Sequence, residues 1–161
     1  MLIPKNHPLA SVNDSFNAVF LHGDAVDDVM FYGRGAGELP TASAVVGDVI
    51  DAVRNITLGC TGRIGCGCYK ELPIKQIGDI KNKFFIRMQV ENKCGVLAAV
   101  AKILGEHNVS IDTFIQKECY QGMAEIVLTT ETVYEKDFYG AVELCKELDV
   151  VKEISSILRV Y

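Results

Sequence analysis

The fold is decided by the stretch Phe84-Phe85-Ile86-Arg87-Met88-Gln89-Val90, followed at once by Glu91-Asn92-Lys93-Cys94-Gly95-Val96-Leu97. In its first half every second residue is apolar, which is the period of a strand with one buried face. Over residues 95–107 the apolar positions instead follow helical spacing: Val96, Leu97, Val100, Ile103 and Leu104. The stretch therefore predicts a strand that leads directly into an amphipathic helix.

The rest of the C-terminal half repeats this strand and helix. Residues 109–116 and 123–130 alternate in polarity on either side of Gln121-Gly122, which predicts a hairpin. A second amphipathic helix carries apolar residues at helical spacing: Phe138, Ala141, Val142, Cys145 and Leu148. Residues 151–161 alternate again. The order β-α-β-β-α-β predicts an α+β, ferredoxin-like fold, a four-stranded antiparallel sheet with both helices on one face.

The N-terminal part is a partial α/β segment. Residues 17–21 and 29–32 predict two short strands, and Pro40 begins a run with apolar residues at helical spacing. Two strands and one helix bury little surface alone, so this part should pack against further protein. Glycines and cysteines crowd the segment that follows. We therefore predict a remnant of a larger domain at 1–57, a linker at 58–82 and a complete domain at 83–161.

Composition excludes several classes of protein. A net charge of −5 and a pI of about 5.2 leave no basic field for nucleic acid, and apolar runs are too short to span a membrane. No signal pattern occurs at the start, so the cytoplasm is the expected location. The six cysteines are then expected to be reduced: Cys60, Cys66, Cys68, Cys94, Cys119 and Cys145. Their spacing does not favour zinc.

Residues 17–48, which include Tyr32-Gly33-Arg34-Gly35-Ala36-Gly37-Glu38-Leu39-Pro40-Thr41, closely resemble the end of the catalytic region of homoserine dehydrogenases, and His7-Pro8-Leu9-Ala10-Ser11-Val12 resembles the segment just upstream. The resemblance implies that Gly35, Ala36 and Gly37 let the backbone approach an NAD(P) cofactor in the complete enzyme. A tight glycine turn is the alternative.

Homoserine dehydrogenases reduce aspartate semialdehyde to homoserine with NAD(P)H. The family's catalytic lysine and acidic substrate ligands match nothing in this chain, so no catalytic residue is assigned and the chain alone should be inactive. The acidic group Asp24, Asp27 and Asp28 is interpreted as a solvated turn.

The junction of residues 91–97 resembles the effector loop of ACT domains, which are amino-acid-sensing regulatory domains. A helix start offers unpaired N–H groups to a ligand carboxylate, and Asn92 is expected to be the N-cap. The resemblance implies effector contacts from a set of residues: Asn92, Lys93, Cys94, Gly95, Val96, Leu97, Asp112 and Gln116. Alternatively Asn92 and Gly95 only start the helix. Cys94 stands where the family usually has proline.

Asp112 and Gln116 are expected on the strand face opposite Ile111 and Ile115, either contacting an effector's polar groups or solvated. The leading hypothesis is a C-terminal regulatory fragment of homoserine dehydrogenase that senses threonine and forms a homodimer or higher oligomer through the open face of its sheet. The alternative is a stand-alone ACT-type oligomerisation module without a functional ligand site.

Overall fold

A computed structural model describes residues 1–60, 67, 70–118 and 122–161. The chain forms two compact units. The C-terminal unit consists of Met1–Ile3 together with Pro73–Tyr161, and the N-terminal unit consists of Pro4–Leu72. The N-terminal unit is thus inserted, along the chain, between two parts of the C-terminal unit.

The N-terminal unit contains a hairpin and a helix. Strands β1 (Phe16–Gly23) and β2 (Asp27–Arg34) pair antiparallel, and helix α1 (Glu38–Thr57) follows. Both strands are longer than predicted, because His22 and Gly23 continue the ladder and the turn occupies residues 24–26. No residue of α1 is buried, although the helix carries a stripe of valine and isoleucine.

The C-terminal unit contains five strands and two helices among the described residues. In chain order these are β3 (Lys81–Glu91), α2 (Val96–Glu106), β4 (Ile111–Glu118), β5 (Met123–Thr130), β6 (Val133–Tyr134), α3 (Glu135–Lys146) and β7 (Val151–Val160). The main sheet is antiparallel in the order β7-β3-β5-β4, and β6 adds a short pair to the start of β3. The predicted ferredoxin-like α+β fold is confirmed.

One face of this sheet forms the core beneath α2 and α3. On β3 the buried residues are those that the alternation predicted: Phe84, Ile86, Met88 and Val90. The ring of Phe138 on α3 stacks on Phe84 at a centroid distance of 3.8 Å. Burial of these apolar side chains is the main term that stabilises the unit.

The C-terminal unit starts earlier in the chain than the predicted boundary at residue 83. It takes in Pro73 onward and the 3-10 turn Ile77–Asp79, because Asp79 binds Lys136 of α3 at 2.9 Å. Part of the predicted linker therefore belongs to this unit.

Candidate functional site

Helix α2 begins at Val96, and its N-cap residue is Gly95 in the left-handed region, with φ of 90°. No side chain caps the helix. The expectation that Asn92 is the N-cap is therefore wrong. The backbone N–H of Asn92 donates to the carbonyl of Gly122 at 2.8 Å, which ties the loop to the start of β5 instead.

The first turn of α2 presents backbone donors that the protein leaves open. The Val96 N–H makes only a long contact of 3.5 Å to the Lys93 carbonyl, and Ala99 N–H donates to Gly95 at 2.9 Å. Between them, the amides of Leu97 and Ala98 have no acceptor among the described residues. A Cβ added at Gly95 would meet open space. The helix start can therefore accept an anion.

The side chain of Lys93 is engaged elsewhere. Its ammonium lies 2.6 Å from the Glu91 carboxylate, which also binds Lys152 of β7 at 2.7 Å. The hydrogen bonds from Lys152 and then Lys93 lower the pKa of Glu91 to about 2. Cys94 is exposed, Val96 is buried, and Leu97 is 41% exposed beside the open amides.

A β-bulge changes the phase of β4 between Ile111 and Thr113. After it, Gln116 pairs with the buried Ile126 and so lies on the helix-covered face. Asp112 lies on the open face, where its carboxylate accepts a hydrogen bond of 3.0 Å from the hydroxyl of Thr129. The expectation that Asp112 and Gln116 share a face is wrong, because the inserted residue shifts the alternation.

Asp112 and Gln116 also lie at different distances from the α2 loop along the sheet. Glu91 pairs with Met123 at the end nearest the α2 loop, whereas Asp112 lies beside Thr129. Six residues of β5 span roughly 20 Å. Within one copy of the chain, Gln116 therefore lies much nearer than Asp112 to the first turn of α2, and Asp112 cannot join the same site.

The glycine loop of the N-terminal unit has two positions where no other residue fits. Gly37 has φ of 129°, and a Cβ at Gly35 would overlap the amide group of Asn17. The loop lies at one side of a groove of about 820 Å³, whose walls are small and mainly apolar: Gly35, Ala36, Gly37, Glu38, Thr41, Ala42, Val45 and Val46. The loop thus combines a constrained turn with an accessible backbone.

The acidic residues near the β1–β2 turn are exposed, as interpreted, but only Asp24 lies in the turn itself. Asp27 and Asp28 belong to β2, and the Asp28 carboxylate lies 2.7 Å from Nδ1 of His22. Both partners are exposed, so the pair contributes little.

Within the described ranges no cluster of side chains could hold a metal ion. Cys60, Cys94 and Cys145 are free thiols, whereas Cys66, Cys68 and Cys119 lie outside the described residues. In the same ranges, no helix is both long and apolar enough to cross a membrane.

A buried ion pair at the start of α3 was not expected from the sequence. The carboxylate of Glu135 is 2% exposed and accepts hydrogen bonds from Arg159 at 2.7 and 2.8 Å and from Asn82 at 2.6 Å. The bonds from Arg159 hold the pKa of Glu135 below its ordinary value. The only signal in the sequence was an acidic residue in the first turn of a helix.

Comparison with known proteins gives two family matches. Residues 1–50 match the homoserine dehydrogenase family model, and residues 84–149 match the ACT domain model. The homoserine dehydrogenase of Corynebacterium glutamicum is 44% identical over 98% of this chain and 35% of its own length. That of Bacillus subtilis is 37% identical over 99% of this chain and 37% of its own length.

A solved structure agrees with these matches. The homoserine dehydrogenase of Thiobacillus denitrificans superposes with a TM-score of 0.78 at 32% identity, over 99% of this chain and 37% of the other. This chain matches the C-terminal region of homoserine dehydrogenases. The resemblance inferred from the sequence is thereby confirmed.

The homoserine dehydrogenase match divides the candidate residues between two regions. Gly35, Ala36 and Gly37 fall in the part shared with the homoserine dehydrogenase family model, whereas the α2 loop, Asp112 and Gln116 fall within the ACT domain. The chain spans 35–38% of the length of the homoserine dehydrogenases it matches.

Proposed function

We propose that this chain is the regulatory C-terminal segment of a homoserine dehydrogenase and that its ACT domain binds an amino-acid effector, threonine foremost. The observation that carries the proposal is the open first turn of α2. The amides of Leu97 and Ala98 lack acceptors among the described residues, and the adjoining Gly95 leaves room for a ligand.

A free amino acid suits this site chemically. Its carboxylate would accept hydrogen bonds from the amides of Leu97 and Ala98, where the helix also contributes partial positive charge. The Gln116 side chain, which lies nearer this turn than Asp112 does, can accept from an ammonium or a hydroxyl. The half-exposed Leu97 offers an apolar contact to the methyl of threonine, which serine lacks.

The proposal includes a second copy of the chain. The sheet face opposite the helices has no cover from the described residues, and it exposes 48% of Ile115. Asp112 lies on this face and is too far from its own α2 loop, so it can contribute to a ligand site only across an interface between copies. We therefore propose a homodimer or higher homo-oligomer.

In the complete enzyme, we propose that the Gly35–Gly37 loop contributes to binding NAD(P), which supplies the hydride that converts aspartate semialdehyde to homoserine. The groove beside the loop is lined by small and apolar side chains and by no basic one. That chemistry fits the nicotinamide end of the cofactor better than its phosphates. The cytoplasmic location expected from the sequence is kept as part of this proposal.

The test is a threonine titration of the wild-type chain with two variants, Gly95→Asp and Gly95→Asn. Both residues tolerate a left-handed backbone and they are nearly equal in size, so the pair differs mainly in charge. Threonine at about 100 times its Kd should stabilise the wild type by roughly 2.7 kcal/mol. Gly95→Asp should abolish this stabilisation, because the new carboxylate repels the carboxylate of threonine. Gly95→Asn should retain a larger part of the stabilisation by threonine.

Serine at equal concentration should stabilise the wild type less than threonine. If threonine, isoleucine, methionine and lysine all leave the wild type unchanged at tens of millimolar, the sensor function fails. The oligomerisation module without a ligand site then takes its place.

A further inference from the structure

The first residues of the chain extend the sheet of the C-terminal unit. The N–H of Leu2 donates to the Arg159 carbonyl at 2.7 Å, and the N–H of Tyr161 donates to the Leu2 carbonyl at 2.9 Å. These two bonds form a parallel bridge between Leu2 and Val160 on β7. The chain leaves the C-terminal unit directly after this bridge, at Ile3, and enters the N-terminal unit.

Arg159 connects this exit to the start of α3. Its carbonyl accepts the Leu2 bond, and its guanidinium holds the buried carboxylate of Glu135, the first residue of α3. The exit segment and the first turn of α3 thus share one residue.

The return of the chain meets the same turn. Asp79 binds Lys136, the second residue of α3, at 2.9 Å, and the N–H of Glu135 donates to the Ile80 carbonyl at 2.9 Å. A Cβ at Gly78 would come within 3.3 Å of the Lys136 Cβ, so the return segment packs closely on the helix. The return segment is therefore fastened directly to the first turn of α3, whereas the exit segment reaches that turn through Arg159.

Helix α3 in turn packs against α2. Gly140 of α3 lies beside the ring of His107, which ends α2, close enough that a Cβ there would be 3.4 Å from His107 Cδ2. Well-packed helices shift as units rather than bending locally. The contact between His107 and Gly140 gives a route by which a shift of α2 as a unit would reach α3, and from α3 the chain connections.

We propose that the first turn of α3 is the junction through which the ACT domain and the N-terminal unit are coupled, reached from Leu2 through Arg159 and from Asp79 directly. The inference rests on the proposed effector site, because the ligand at α2 is what would bias the junction. Coupling of this kind is reciprocal: if threonine strengthens the Leu2 bridge by a given factor, loss of the bridge weakens threonine binding by that factor.

The first arm of the test uses Leu2→Pro, which removes the N–H that donates to Arg159, with Leu2→Ala as the matched control that keeps it. Hydrogen exchange of the Tyr161 amide reports whether the bridge is intact, and threonine titration reports the Kd. We expect Leu2→Pro to speed hydrogen exchange of the Tyr161 amide and to raise the Kd for threonine about fivefold. Leu2→Ala should change the Kd less than twofold.

The second arm uses Asp79→Asn, which removes the ion pair at the junction, and Glu143→Gln, which removes the pair of Glu143 with Lys146 at 2.7 Å further along the same helix. Both substitutions neutralise an exposed carboxylate that pairs with a lysine of α3. Only Asp79→Asn should weaken threonine binding.

The outcomes separate this inference from the proposed function. Absence of amino-acid binding by the wild type removes the proposed function and this inference with it. Wild-type binding with an unchanged Kd in Leu2→Pro, despite fast Tyr161 exchange, refutes the junction alone. If Leu2→Pro does not fold, an unchanged Kd in Asp79→Asn refutes the junction in its place.

Discussion

Replacing Arg159 with methionine should destabilise the C-terminal unit by about 3 kcal/mol. The substitution keeps an apolar stem but removes two charge-assisted hydrogen bonds, of 2.7 and 2.8 Å, from the buried Glu135. Breaking a buried pair by removing one partner costs about 3 to 5 kcal/mol. The lower end applies here, because the Arg159 side chain is 43% exposed and water can replace part of its contact.

The variant should also invert the pH dependence of stability. In the wild type the pKa of Glu135 is lowered, chiefly by Arg159, so the stabilisation is present above about pH 4.5 and is lost as the pH falls. Without Arg159, burial disfavours the carboxylate and raises its pKa above that of the unfolded chain. Stability should then be highest below pH 4.5 and should fall as the pH rises.

Urea unfolding followed by circular dichroism, with hydrogen exchange to assign the transition to the C-terminal unit, measures both effects. Arg159→Lys keeps the charge without the paired geometry and should lose less. Arg87→Met is the matched control. Among the described residues the ion pair of Arg87 is a 3.5 Å contact with Glu125 on the open face, so this substitution should change stability by about 0.5 kcal/mol or less. A loss below about 1 kcal/mol in Arg159→Met, with an unchanged pH profile, would refute the reasoning.

Four further outcomes are expected. The purified chain should form no NAD(P)H from homoserine, since none of its assigned residues is catalytic; turnover above a mock-purified control would contradict this. Sedimentation at tens of micromolar should give a dimer or larger species, and a monomer would count against the proposed second copy. At pH 8 iodoacetamide should label the exposed Cys94 much faster than Cys145. Burial raises the pKa of the Cys145 thiol to about 11, so roughly a thousandth of this thiol is thiolate at that pH. Equal labelling rates in mass spectrometry would show that Cys145 is accessible. Glu91→Gln should reduce the loss of melting temperature between pH 7 and pH 3. Lys152 and Lys93 lower the pKa of Glu91 to about 2, so the carboxylate stabilises the fold above about pH 4.5 and this stabilisation is lost as the pH falls. Equal pH dependence of the melting temperature in variant and wild type would contradict this.

The sheet and helices of the C-terminal unit were predictable because burial imposes a period on the sequence. The alternation from Phe84 to Val90 gives the core face of β3 directly, and residues 123–130 gave the bounds of β5 as the structure has them. The start of α2 next to Gly95 was expected, but the N-cap was wrongly assigned to Asn92, because the positive φ of Gly95 lets the chain enter the helix without a side-chain cap.

Features that depend on distant partners were not predictable. The bulge after Ile111 comes from how β4 pairs with β5, and it places Gln116 on the opposite face of the strand from Asp112. Glu135 is buried only because Arg159 and Asn82, far away in the chain, meet it. The local spacing of residues in the sequence does not report contacts between residues that are far apart in the chain.

The return of the chain to the sheet after its excursion has a consequence for protein engineering. For the C-terminal unit, the segment Pro4–Leu72 is an insertion that connects two parts of that unit, as a long loop would. Loop entropy grows only logarithmically, so doubling that loop would cost about 0.6 kcal/mol. A different folded domain, such as a fluorescent protein whose own termini lie close together, could be grafted between Ile3 and Pro73 to turn the sheet into a host for a reporter.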